Sequence, residues 1–102
     1  KEEDAVKIIE GLAEDYPNHA LIDYGHGQIA LLKEDMETAI GFFNSSIEKD
    51  PRSDAAPIVL GDYYMSAGNT DKAIAVWENF LQNNRYHKKL RKRLNQAKKP
   101  VE

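Results

Sequence analysis

Three histidines, several acid pairs and one dense run of cations are the residues of this 102-residue chain whose types could do chemistry. His19 follows the turn Pro17-Asn18, His26 follows Asp23 by three positions, and His87 opens the cationic run. No two histidines stand four apart, the spacing that lets a helix present two imidazoles to one metal. Asp23 with His26 supplies two ligands at most, and a zinc site needs three or four. His26 is therefore expected to be a partly buried side chain tied to a neighbouring group, with a ligand or pH-switch role as the alternative. The acids Glu2-Glu3-Asp4, Glu14-Asp15 and Glu34-Asp35 fall at helix ends or turns, so a solvated role is expected for them. General acid–base catalysis needs matched groups within reach of one substrate, and no such set is indicated. Gly25 and Gly27 lack the strand–turn–helix setting of a phosphate loop. With no cysteine, disulfides, thiolate catalysis and zinc ribbons drop out. No enzyme, cofactor or metal is expected.

The cations are concentrated. Residues 1–84 hold six Lys+Arg against sixteen Asp+Glu, a net of −10, while residues 85–102 hold eight against one, a net of +7. Such a split marks a basic tail that meets something acidic: nucleic acid, an anionic membrane surface, a partner protein or the chain's own acidic body. Lys88, Lys89, Arg91, Lys92 and Arg93 are the candidate basic patch. No uncharged apolar run approaches the roughly 20 residues that span a bilayer. The charged start, Lys1-Glu2-Glu3-Asp4, does not look like a secretory signal. The composition predicts a soluble protein and fits a cytoplasmic or a periplasmic setting. A first residue other than Met suggests a piece of a longer chain.

The elements that position these groups are helical. Ala5, Ile8, Ile9, Leu12 and Ala13 follow the i, i+3, i+4, i+7 spacing of one helix stripe, as do Met36, Ala39, Ile40, Phe43 and Ile47. Ala73, Ile74, Trp77, Phe80 and Leu81 do so again. The predicted helices are 1–16, 19–33, 36–49, 54–67, 70–83 and 86–98, broken at Pro17-Asn18, Asp50-Pro51-Arg52-Ser53, Gly68-Asn69-Thr70 and Asn83-Asn84. Ser53 or Asp54 is expected to cap the fourth, and Thr70 with Asp71 the fifth.

A shift of 34 residues superposes Gly27 on Gly61, Ala39 on Ala73, Ile40 on Ile74, Phe43 on Trp77 and Ile47 on Leu81. Backwards, the same shift superposes Ala5 on Ala39 and Pro17 on Pro51. A fixed period of this size marks stacked helix–turn–helix units. The glycines and alanines allow two antiparallel helices to approach. Phe43 and Trp77 are expected to fill the gap to the next pair. Tyr64 and Trp77 are expected in the core, with the Trp77 indole N–H seeking a partner, and Tyr63 at a surface.

These residues resemble the tetratricopeptide repeat (TPR) family. Leu60-Gly61, Tyr64, Gly68-Asn69, Ala73 and Trp77 carry the likeness most closely; Gly27, Ala39, Phe43 and Pro51 carry it in the preceding unit. The chain departs from the family pattern at His26, Ala30, Pro57 and Arg85. The resemblance implies an all-α, right-handed α-solenoid of antiparallel helix pairs, about two and a half repeats with a closing helix. Residues 1–18 would be the second helix of a partial repeat, 19–53 and 54–87 repeats, 88–98 a basic capping helix and 99–102 a tail.

It also implies a concave groove, lined by the first helix of each pair, that binds a peptide or helix of a partner protein. By position the lining would be Leu21, Tyr24, Gly25, Gln28 and Leu32, then Ala55, Ile58, Val59, Asp62, Met65 and Ser66. Tyr24, Gln28, Ile58 and Asp62 stand where a clamp for a peptide's terminal carboxylate would want cations or Asn, so a hydrophobic or mixed segment is expected instead. Tyr24 and Met65 fit packing between repeats equally well. Val6, Ile9 and Ala13 are expected to leave an apolar surface that favours self-association. The alternative function places nucleic acid or an anionic membrane surface on the basic C-terminal helix.

Overall fold

The computed structural model describes residues 2–15 and 19–99, except for the side chains of Glu2 and Ala13. The Pro17 turn, the Ala13 side chain and the last three residues of the tail therefore lie outside the described residues. Six helices and no strand occur among them: α1 (Glu2–Asp15), α2 (Ala20–Leu32), α3 (Met36–Lys49), α4 (Ala55–Ser66), α5 (Thr70–Asn83) and α6 (Lys88–Ala97). Each lies within two residues of its predicted range. They form two units, Lys1–Asp50 and Pro51–Glu102.

In the first unit α2 packs on both α1 and α3. The start of α2 meets the end of α3, because Ser46 Oγ donates to the Ala20 carbonyl at 2.9 Å and Lys49 Nζ lies 2.7 Å from Asp23. The pair is therefore antiparallel. Its core holds Ile22, Ile29, Ala30, Ala39 and Phe43. Phe43 lies against the backbone of α2 where Gly27 has no side chain; a Cβ there would come within 2.6 Å of the ring. On the other side, Ile9 of α1 occupies the space that a Cβ on Gly25 would need.

In the second unit α5 packs on both α4 and α6. The same contact recurs 34 residues on: a Cβ on Gly61 would overlap the Trp77 indole. The open backbone also lets Trp77 Nε1 donate to the Pro57 carbonyl, 3.0 Å away and one turn before Gly61. Pro57 is tolerated because it lies in the first turn of α4, where backbone N–H groups have no helical acceptor. Ala73, Leu60, Tyr64, Phe80 and Leu90 complete the core. The large aromatic thus fills the space over the glycine of its own pair, where the sequence had assigned it to the gap between pairs.

The turns repeat as closely as the helices. Asp35 N donates to the Ala30 carbonyl (2.9 Å) and Glu34 N to that of Leu31 (3.0 Å); Asn69 to Tyr64 (2.7 Å) and Gly68 to Met65 (3.1 Å) do the same 34 residues later. This pair of bonds is the Schellman ending, and it places one residue in the left-handed region. In the second unit that residue is Gly68 (φ 79°), in the first Glu34 (φ 59°).

Helix starts differ in part from the expectation. Asn69, not Thr70, is the N-cap of α5, and neither it nor Asp54 makes a side-chain capping bond. Ser53 Oγ accepts weakly from Ala55 N at 3.4 Å. The working caps are Asp35, which accepts from Thr38 N and Oγ1, and the histidines His19 and His87. Because His87 is a cap, α6 begins at Lys88 and not at 86.

Gly61→Ala should lower unfolding free energy by about 1–3 kcal/mol, the usual cost of overpacking. Gly41→Ala, in a helix interior with open space around it, should raise it by about 0.5–1 kcal/mol. Urea denaturation checks both, and equal effects would refute the close-approach assignment. Glu34→Gly should stabilise by about 0.5–1 kcal/mol, since a left-handed L-residue carries about 1–2 kcal/mol of strain, partly offset by the freer unfolded chain.

Candidate functional site

On α2, Leu21, Tyr24, Gln28 and Leu32 share one stripe. Leu21 and Leu32 are 54% and 64% exposed, a large apolar area for solvent. Between them Gln28 Nε2 donates to Tyr24 Oη at 2.8 Å, and the Tyr24 ring leans on Phe43, with centroids 5.8 Å apart. Tyr24 is therefore half packing residue and half surface. Leu21 also borders a small apolar hollow of about 160 Å³ with Leu12, His19 and Ile22. Gly25 does not belong to the stripe, because it faces Ile9 of α1. That contact also corrects the reading of α1: Ile9 is half-buried against α2, and the exposed apolar residue is Ile8 at 63%.

His26 is half-buried and tied to a neighbouring group, as expected, and that group is an aromatic ring. His26 stacks on Phe42 with ring centroids 5.0 Å apart. Asp23 is buried and reaches across to α3, where it accepts from Ser45 Oγ at 3.0 Å and Lys49 Nζ at 2.7 Å.

In the second unit Ala55, Ile58, Val59, Asp62, Met65 and Ser66 all keep some exposure, while Ala56, Pro57, Leu60, Gly61 and Tyr64 face the core. Ser66 is turned back on its own helix, donating to the Tyr63 carbonyl. Tyr64 is buried and Tyr63 half-buried, with the Lys72 ammonium 5.7 Å from the Tyr64 ring centroid. Asp62 and Met65 open onto a cleft of about 540 Å³ whose other walls are Trp77 of α5 and Lys89, Lys92, Arg93, Gln96 and Ala97 of α6. Residues that the sequence assigned to two separate sites, the apolar lining and the basic patch, thus meet in one place.

Their junction is a fork. Arg93 Nε and one terminal nitrogen donate to the two Asp62 oxygens at 2.9 and 3.0 Å. The hydrogen bond to Asp62 raises the Arg93 pKa above its already high value; partial burial opposes this and the Asp62 charge adds to it. Arg93 is therefore always cationic, and the pair is locally neutral. Lys89 and Lys92 line the cleft without an ion-pair partner among the described residues. Lys88 and Arg91 do not line it. Arg91 bonds the Arg85 carbonyl and borders a different depression with Glu78, Leu81 and Leu94. The sequence patch is thus divided by the helix into cleft and non-cleft cations.

His87 leaves the basic patch for a structural role. Its Nδ1 accepts from Leu90 N at 3.2 Å, so the proton sits on Nε2, which lies 2.8 Å from Asp54 Oδ2. The ring meets Phe80 edge-on. These contacts hold the start of α6 beside α4 and α5, and Leu90 is fully buried behind them. Sequence reasoning missed Trp77, Gln96 and Ala97 as cleft walls and the Asp62–Arg93 fork, whose partners are 31 positions apart with no local pattern to link them.

Among the described residues no group of three His, Asp or Glu side chains could hold a metal ion, and no helix is long and apolar enough to cross a membrane. No family model matches the chain, and no curated protein matches it.

Asp23→Ala should cost about 1–3 kcal/mol, because a buried acceptor is removed from two donors. Asp62→Ala should cost less than about 1 kcal/mol, since nearly half of the Asp62 side chain is in solvent and the pair lies at the surface. Chemical denaturation of both variants checks the order, and a larger loss at Asp62 would overturn this ranking.

Proposed function

We propose that this chain is a protein-interaction scaffold, a stretch of TPR-like right-handed α-solenoid that receives a peptide or helix of a partner on the first helix of each pair. The observation that carries the proposal is the exposure of Leu21, Leu32 and Met65 (54%, 64% and 39%) on α2 and α4, whose opposite faces are packed. Exposed apolar patches of this kind, within each unit, commonly mark interaction sites. The recurrence of Gly27–Phe43 as Gly61–Trp77, and of the two Schellman turns, supports the repeat assignment. Helix-in-groove recognition uses this kind of apolar row, with affinity limited by the ordering of the bound segment.

Peptides selected from a phage-displayed library against the chain supply the probe. The pair Leu21→Ser and Leu32→Ser should weaken their binding at least tenfold, measured by calorimetry, while the fold is retained. Ile8→Ser, on α1 and outside the stripe, should change it less than twofold. Equal affinity for the stripe variant, or a library that yields no binder, would remove this reading.

A further inference from the structure

We infer that the cleft between α4, α5 and α6 binds an acidic peptide segment carrying one large apolar side chain, an inference that rests on the scaffold reading above and names the partner of its second unit. The cleft is an open depression of about 540 Å³ between the three helices. Its two kinds of wall ask for two kinds of group. Met65, 39% exposed, and Ala97 offer apolar contact, with the buried Trp77 behind them. Lys89 and Lys92 stand at the same cleft with no ion-pair partner among the described residues, since Asp62 is held by Arg93.

Charge complementarity selects the occupant. Residues 51–102 hold ten Lys+Arg against five Asp+Glu, a net of +5, whereas residues 1–50 carry a net of −8. A wholly apolar segment would leave the two ammonium groups to be desolvated without partners, which is costly. A bare polyanion would satisfy them and leave Met65 and Ala97 uncovered. A segment with two or more carboxylates flanking a Phe, Trp or Leu meets both demands, with the carboxylates steering approach and the apolar group anchoring it.

Nucleic acid would use the cations differently. Its phosphates would engage Lys88 and Arg91 as readily as Lys89 and Lys92, and its bases would find the 88% exposed Tyr86, which lies outside the cleft. The two classes are therefore separated by which lysines matter.

The test uses the full chain and three fluorescein-labelled probes in fluorescence anisotropy. One is an amidated peptide of six glutamates around a central Trp, the second the same peptide with Ser for Trp, the third a single-stranded oligothymidine. Lys89→Glu and Lys88→Glu both fall in the first turn of α6, where a carboxylate favours the helix dipole, so neither should unfold it. The Trp peptide should bind at least fivefold more tightly than the Ser peptide. Lys89→Glu combined with Lys92→Glu should weaken it at least tenfold, and Lys88→Glu less than twofold. Equal losses from Lys88→Glu, tighter binding of the oligothymidine, or no preference for Trp would each overturn the inference. Failure of the Trp peptide to bind would also overturn it. Phage-selected peptides that still depend on Leu21 and Leu32 would then leave the scaffold reading standing.

Discussion

Everything else in each helix pair depends on a large aromatic ring lying directly on the backbone of the facing helix. Phe43 reaches the backbone at Gly27, and Trp77 reaches it at Gly61. Any side chain at those glycines would displace the ring, and interiors packed at crystal-like density have little room to absorb the shift. The small alanines Ala39 and Ala73, almost fully buried on the second helices, allow the close approach from the other side. At Trp77 the contact also gives the buried indole N–H a partner, the buried Pro57 carbonyl.

With the cores fixed by these contacts, the remaining faces of α2 and α4 are left for other uses. They diverge in character. The α2 stripe is a row of aliphatic side chains interrupted by the internally bonded Tyr24–Gln28 pair. The exposed side of α4 is joined by cations from α6, and the Asp62–Arg93 fork ties the two helices. The position of α6 is in turn set by the burial of Leu90 and by His87, which caps α6 through one ring nitrogen and meets Asp54 through the other. Leu90 and His87 together therefore set where Lys89 and Lys92 stand relative to Met65.

Several site residues were legible in the amino-acid order and several were not. Leu21 and Leu32 were expected on a partner-facing helix side from the family resemblance, and both are exposed; Met65 stood open between groove and packing until the fold turned it onto the cleft. Tyr24 could not be assigned, since a ring of that size can both lean on Phe43 and reach solvent. His26 was legible as a half-buried side chain held by a neighbour, but neither its partner Phe42 nor the Asp23–Lys49 pair could be read from local spacing. Glu34 gave no sign of its left-handed backbone, because glutamate is not a turn former; only the Schellman bonds around it show the conformation.

The order of residues by itself determined the six helices, their near-exact limits and the identity of the close-approach glycines. Those features are local or periodic: apolar spacing sets the helices, and the 34-residue shift aligns equivalent positions. Only tertiary structure decided which cations share a cleft with Met65, that Asp62 meets Arg93, and that His87 is a cap. The Asp62–Arg93 and Asp54–His87 pairs join residues 31 and 33 positions apart, and their geometry follows from how α6 is turned to bury Leu90, which no local spacing encodes.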